Sequence, residues 1–136
     1  MSIKTPFVAV DGIIKIFNEN KFAGIVLIER KNPPLGLALP GGFVEIGESV
    51  EEALIREMKE ETNLNVKINR LLGVYSDPKR DPRFHTVTSV FICSASGIPI
   101  GMDDAKKALV YRLEDIPFQK LVFDHEKIIK DFISWL

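Results

Sequence analysis

Apolar residues fall in near-continuous β-branched runs along most of the chain and at helical spacing in two places. Phe7 to Phe17 is rich in Val, Ile and Phe with a break at Asp11-Gly12, and Ala23 to Ile28 is a second such run. Both predict strands, and Asn18-Glu19-Asn20 between them predicts a turn. Asn32, Pro33, Pro34 and Gly36 predict a loop, since consecutive prolines lack N–H donors and force extended backbone. Val66 to Tyr75 and Thr86 to Cys93 read as strands separated by the polar insert Ser76 to His85, and a loop of that length is often functional. Ala108 to Arg112 reads as a short strand and Leu113 to Ile116 as a short turn or helix. Ile128, Ile129, Phe132, Ile133 and Leu136 recur at helical spacing, which predicts a closing helix over Asp124 to Leu136. This irregular alternation of strands and helices implies an α/β fold, a mixed sheet with helices on its faces.

The other helical pattern starts after Ser49, a suitable N-cap, with Glu51 and Glu52 in the first turn where acids complement the helix dipole. With Val50 set at zero and about 100° per residue, Ala53, Leu54 and Met58 fall at roughly 300°, 40° and 80°. On the same scale Glu57, Glu61 and Glu60 fall at roughly 340°, 20° and 280°. Two glutamates therefore lie inside the apolar stripe and a third borders it. A solvated face explains Glu51, Glu52 and Lys59 but not these. Buried carboxylates need partners, and clustered carboxylate oxygens are what Mg²⁺ or Mn²⁺ selects. A charge network organised by Arg56 is the alternative. The glycines of Leu39-Pro40-Gly41-Gly42, just upstream, permit close approach of backbone to a ligand.

Composition narrows the class. With 136 residues, 46% of them hydrophobic, the chain reads as a single domain over 1–136 with its own core. A net charge of −1 gives no overall basic surface for non-specific nucleic-acid binding. The one cysteine, Cys93, cannot form an internal disulfide and sits among apolar strand residues. Neither a signal sequence nor a membrane-length apolar run is present, so no membrane partner and a cytoplasmic location are expected.

The run from Gly42 to Leu64 has a definite spacing: Gly42, then Glu48, then Arg56-Glu57, Glu60-Glu61 and Asn63-Leu64. It resembles the Nudix box, a glycine, a glutamate and then REUxEExGU with U an apolar residue. The one departure is Asn63 in place of glycine. A left-handed cap is expected there, and Asn is the next most tolerant residue. The resemblance implies an α/β/α sandwich with a mixed β-sheet that hydrolyses a nucleoside diphosphate linked to another group, using Mg²⁺ or Mn²⁺. Glu57, Glu60 and Glu61 would bind metal with the Gly41 carbonyl, and Arg56 would pair with Glu48. The general base would come from the box or from a later loop, where Asp103 and Asp104 are candidates, with Glu57 first if those loop acids are distant; an ordinary turn is the plain reading of that Asp pair.

Tyr75 to His85, with Val87 and Ser89, is similar to small ADP-ribose pyrophosphatases, and Pro78 stands at their marker proline. Arg80 and Arg83 offer planar forks suited to phosphate, and Pro78 and Pro82 limit how far the loop collapses. Phe84 stands where glycine is expected. Arg30, at the end of the second strand, reaches a phosphate or ribose, or else faces solvent. His85 and His125 are read as structural, with Asp124 capping the last helix. The resemblance implies hydrolysis of ADP-ribose to AMP and ribose 5-phosphate by a homodimer. An oxidised-nucleoside triphosphate pyrophosphatase and a non-catalytic effector-binding domain are the alternatives.

Overall fold

The computed structural model describes residues 2–136. Strands β1 (Phe7–Asn18) and β2 (Lys21–Arg30) form an antiparallel hairpin closed by Glu19 and Asn20. Both closing residues have positive φ, 52° and 65°, the backbone that a tight two-residue hairpin requires. Then come β3 (Leu37–Ala38), β4 (Gly41–Phe43), α1 (Val50–Thr62), β5 (Lys67–Tyr75), β6 (Thr86–Ala95), β7 (Ala105–Tyr111) and α2 (His125–Ile133). Single 3₁₀ turns at Leu113–Asp115 and Phe118–Lys120 precede α2.

β1 pairs with β6 in parallel, and among the described residues the other strand-to-strand pairings are antiparallel, with an isolated parallel bridge between Leu37 and Leu121. Along β2, Val26 and Ile28 join the core under α1 with Leu54 and Met58. Their neighbours Ile25 and Leu27 join the core under α2 with Ile128 and Phe132. Successive strand residues face opposite sides of a sheet, so a helix on each side accounts for the unbroken apolar runs. The result is an α/β/α sandwich with a mixed sheet.

Four expectations change in detail. β1 runs straight through Asp11-Gly12: Asp11 pairs with both Gly41 and Val90. Gly12 serves packing instead, since a Cβ there would stand 2.6 Å from the Met58 sulfur. β7 begins at Ala105, three residues early, extending the edge alongside β2. α2 ends at Ile133, and Asp124 precedes it without making a side-chain cap bond, because its carboxylate is bound elsewhere. β3 and β4 are too short to leave a periodic signal.

These two short strands matter most for the site. β1 and β2 pair with each other only near their hairpin, from Lys15–Ile25 to Asn18–Lys21. Farther along they diverge, β1 taking β4 at Ala9 to Asp11 and β2 taking β3 at Ile28 and Glu29. A cleft opens at the split, floored by the segment between β3 and β4. At the opposite edge of the sheet, β5 has its ladder to β6 interrupted between Ile68 and Arg70 and again between Leu71 and Gly73. Among the described residues no helix is long and apolar enough to cross a membrane.

Asn63 ends α1 in the left-handed conformation (φ 59°, ψ 21°), its N–H donating to the Lys59 carbonyl. Glycine adopts this backbone without Cβ strain. Asn63→Gly should therefore raise stability only slightly, by less than about 1 kcal/mol, because the added freedom of glycine in the unfolded chain opposes the relief of strain, with unchanged turnover, as denaturant melts and a kinetic assay on one preparation would show.

Candidate active site

Helix α1 is fixed at its start by a reciprocal capping box. The Ser49 hydroxyl accepts from the Glu52 N–H at 3.1 Å, and the Glu52 carboxylate accepts from the Ser49 N–H at 2.9 Å. This sets the rotation of the helix and so the direction of the later glutamates. One turn on, Arg56 gathers the preceding loop onto the helix. Its Nε and Nη2 grip the two oxygens of Glu48 at 2.8 and 2.7 Å, Nη2 also donates to the Phe43 carbonyl, and Nη1 donates to Glu57 at 2.7 Å and Glu60 at 3.1 Å. The Arg56 fork, with a further bond from the Glu45 N–H, holds the Glu48 carboxyl at about 2. All five guanidinium donors are thereby used.

Glu61 is buried, 5% exposed, and one Oε accepts from the Gly41 N–H at 2.7 Å. Burial pushes its carboxyl up to about 8 against that bond, and the neighbouring carboxylates Glu57, Asp11 and Asp104 push the same way. Burial also raises Glu57, with Arg56 opposing. The glycines make this crowding possible. A Cβ on Gly42 would lie within 2.6 Å of the whole Glu57 carboxyl group, and one on Gly41 would collide with Asp11. Asp11, Gly41, Gly42, Glu57, Glu61 and Asp104 thus form one acidic wall of a cleft of about 230 Å³.

The facing wall carries arginines. Arg80 is 9% exposed, its Nε and Nη2 forked onto Asp124 at 2.9 and 2.8 Å and its Nη1 on the Thr86 and Thr88 hydroxyls, both at 2.7 Å. Arg83 forks onto buried Asp81. These bonds outweigh the burial of Asp81, whose pKa is lowered. Arg30 donates through Nε to the Pro34 carbonyl at 2.9 Å, and partial burial, with the Arg83 charge nearby, lowers its pKa. The buried His125 accepts at Nδ1 from the Leu39 N–H at 2.9 Å. That bond leaves the ring proton on Nε2, which faces Asp11 at 3.3 Å.

The cleft therefore brings together Gly41, Glu57, Glu61, Arg30, Arg80, Arg83 and Asp104 among the residues singled out from sequence. Others lie outside it. Glu60 is exposed on α1 and turned to Arg56, and Glu48 is behind Arg56. Pro78 is exposed on the insert, away from the cleft lining. Asp103, exposed with φ 51°, meets Lys31 through its carbonyl rather than facing the cleft. Arg80 is the clearest change of role: read as a phosphate fork, it is an internal tie whose donors hold the insert to α2 and β6. His85 bonds the Ser76 carbonyl, and Cys93 is buried, its thiol pushed up to about 12 by that burial. Asp11, Asp81, Phe123 and His125 line the cleft without having been singled out for it. Asp11 and His125 meet across 114 residues of chain, and no local spacing announces such a pair.

The family model of the NUDIX domain matches residues 6–132, and the chain belongs to the Nudix hydrolases. An ADP-ribose pyrophosphatase from Methanocaldococcus jannaschii is 56% identical over 133 residues, covering 96% of this chain and 75% of that protein. A MutT/nudix family protein from Enterococcus faecalis superposes with a TM-score of 0.80 at 29% identity, over 99% of this chain and 63% of that one. A bifunctional NMN adenylyltransferase/ADP ribose pyrophosphatase from Francisella tularensis, complexed with AMP and a manganese ion, gives a TM-score of 0.85 at 28% identity, over 99% and 43%. The chain spans less than two thirds of the length of both solved relatives.

Nudix hydrolases depend on a divalent metal, and the acidic wall suits one. Five carboxylates line the cleft, Asp81 bound by Arg83 and the other four on the acidic wall, and among the described residues the only hydrogen bond to buried Glu61 is a single backbone N–H, so ionising these acids together calls for a hard cation. Among the described residues no three potential ligands already converge on one point, since Arg56 holds Glu57 and Glu60 while Gly41 holds Glu61.

Two outcomes follow from this geometry. In metal-free protein Glu61 titrates higher folded than its ordinary 4.5, so the folded state holds the extra proton and stability should fall as pH rises from about 4.5 to about 8. Melting in EDTA across that range should show the decline, and Glu61→Gln should reduce it, the raised Glu57 retaining a smaller part. Arg80→Met should cost about 3–5 kcal/mol by leaving Asp124 uncompensated, measurable by urea unfolding.

Proposed function

We propose that this chain hydrolyses the diphosphate of ADP-ribose to AMP and ribose 5-phosphate with Mg²⁺ or Mn²⁺. The observation that carries the reading is the buried Glu61 carboxylate, set with Glu57, Asp11 and Asp104 opposite free arginine donors in one cleft. Such a cleft suits a substrate with a negatively charged centre that needs cations on both sides. The Methanocaldococcus relative, matched over nearly the whole chain, supports ADP-ribose as that substrate.

In this reading Glu57 and Glu61 with the Gly41 carbonyl hold the metal, and Glu60 joins them on leaving Arg56. A bound divalent ion supplies charge neutralisation on the diphosphate and a lowered pKa for an attacking water. Arg56 and Glu48 keep the glycine loop pressed on α1, so the Gly41 carbonyl stays in place. Arg30 and Arg83 take phosphate oxygens, Arg80 keeps the insert in position, and Pro78 stiffens it. Asp104 is the general base, because it lines the cleft while Asp103 faces away; Glu57 is the second choice. The reading includes one domain over 1–136 and a cytoplasmic homodimer, and sedimentation near twice the 15.3 kDa chain mass checks the subunit count.

The kcat/KM for ADP-ribose should exceed that for 8-oxo-dGTP, and a preference for the triphosphate would overturn the substrate assignment. Glu61→Gln should lower kcat by several orders of magnitude with the fold intact by circular dichroism, and a chelator should abolish turnover. Asp104→Asn should lower kcat by about 10²- to 10⁴-fold at similar KM while Asp103→Asn stays near normal, as steady-state kinetics on the two variants would establish.

A further inference from the structure

Phe123 combines two features that packing alone does not require. Its backbone is left-handed, φ 56°, a conformation that a bulky aromatic residue adopts only when its surroundings impose it. Its ring, half-buried at the cleft, lies beneath two guanidinium groups, Arg30 at 5.0 Å and Arg83 at 5.2 Å from the ring centre. Two cations brought to one ring repel each other; Glu61, Asp81 and Asp104 offset this only in part, since burial and the Arg83 charge still lower the Arg30 pKa. Among the described residues, both Nη atoms of Arg30 and Nη1 of Arg83 make no hydrogen bond. Donors left free on paired guanidinium groups inside a cleft are suited to an anion.

The neighbours of Phe123 act in the same direction. Asp124 holds Arg80 and His125 holds Leu39 and faces Asp11. Three consecutive side chains thus reach three different parts of the cleft wall, and α2 anchors them. Arg30 comes from β2, where it is tied to Pro34, and Arg83 from the insert, where Asp81 and the Phe84 ring at 4.9 Å hold it, so each local chain places its own arginine and neither sets the distance between the two. The ring does.

We infer that Phe123 is a positioning residue that sets Arg30 and Arg83 as a paired clasp for the diphosphate of the substrate. The inference rests on the reading of those arginines as phosphate-binding. Because neither arginine bonds Glu57 or Glu61, the clasp governs substrate affinity rather than the chemical step. A role confined to stability would leave KM unmoved in protein that remains folded.

The test is steady-state hydrolysis of ADP-ribose by wild type, Phe123→Leu and Phe123→Tyr at saturating Mg²⁺, with thermal melts on each. Leu keeps the apolar bulk but loses the ring face, so KM should rise about tenfold with kcat within about twofold, and Tyr should restore KM. An unchanged KM in Phe123→Leu, or a loss confined to kcat, overturns the inference. A second arm needs neither turnover nor metal: calorimetric binding of inorganic pyrophosphate to Glu61→Gln and to Glu61→Gln/Phe123→Leu. About tenfold weaker binding in the double variant supports the clasp; equal affinity, or no binding to either, overturns it. Absence of ADP-ribose hydrolysis by wild type would remove the proposed function instead, and the pyrophosphate arm would then decide the clasp alone.

Discussion

The hydrogen bond from the Gly41 N–H to Glu61 joins the two halves of this site, and its strength comes from how poorly Glu61 is otherwise served. A carboxylate removed from water and given one backbone donor is costly to keep ionised. That cost ties the position of the glycine loop to the protonation of α1. The loop is held from the helix side by this bond and by Arg56, and from the sheet side by β4 pairing with β1 and by the Pro40 carbonyl accepting from Gly12. It is also held from beneath by His125. A short segment with little regular structure is thereby fixed at several points, which is what a cleft that must place charges within ångströms requires.

The cleft itself follows from sheet geometry. β1 and β2 begin as a hairpin and then separate, each taking a different short strand. Twisted sheets open in this way where neighbouring strands stop sharing a ladder. The opening is polarised: acids come from α1, β1 and the loop before β7, cations from the end of β2 and the insert. The insert alone brings both signs, Asp81 with Arg80 and Arg83, and there Arg83 takes up the acid, so the remaining charge separation is a property of the topology.

Much of this was legible beforehand and some was not, for reasons that differ. The inward turn of Glu57 and Glu61 is readable because helical periodicity is local, and Ser49 and Asn63 marked both ends of α1. The sandwich was readable because β2 buries successive residues on two faces. Arg80 misled because a planar fork serves a phosphate and a buried Asp equally well, and only the fold shows that Asp124, 44 residues on, claims it. Asp11-Gly12 looked like punctuation, although the glycine makes room for Met58 and the aspartate faces His125. Phe123 carried no pattern at all, because its meaning lies in two arginines from distant segments.

The interrupted ladder of β5 bears on how copies of this chain meet. An outer strand with regular pairing offers its free amide and carbonyl groups as a template for another strand, whereas repeated bulges twist that row out of line. β5 has two such irregularities, with Lys67 and Arg70 exposed between its apolar positions. With a net charge of only −1, long-range repulsion does little to keep molecules apart, so backbone irregularity at this margin is the local safeguard. Association by continuing the sheet past β5 from one molecule into the next is disfavoured here.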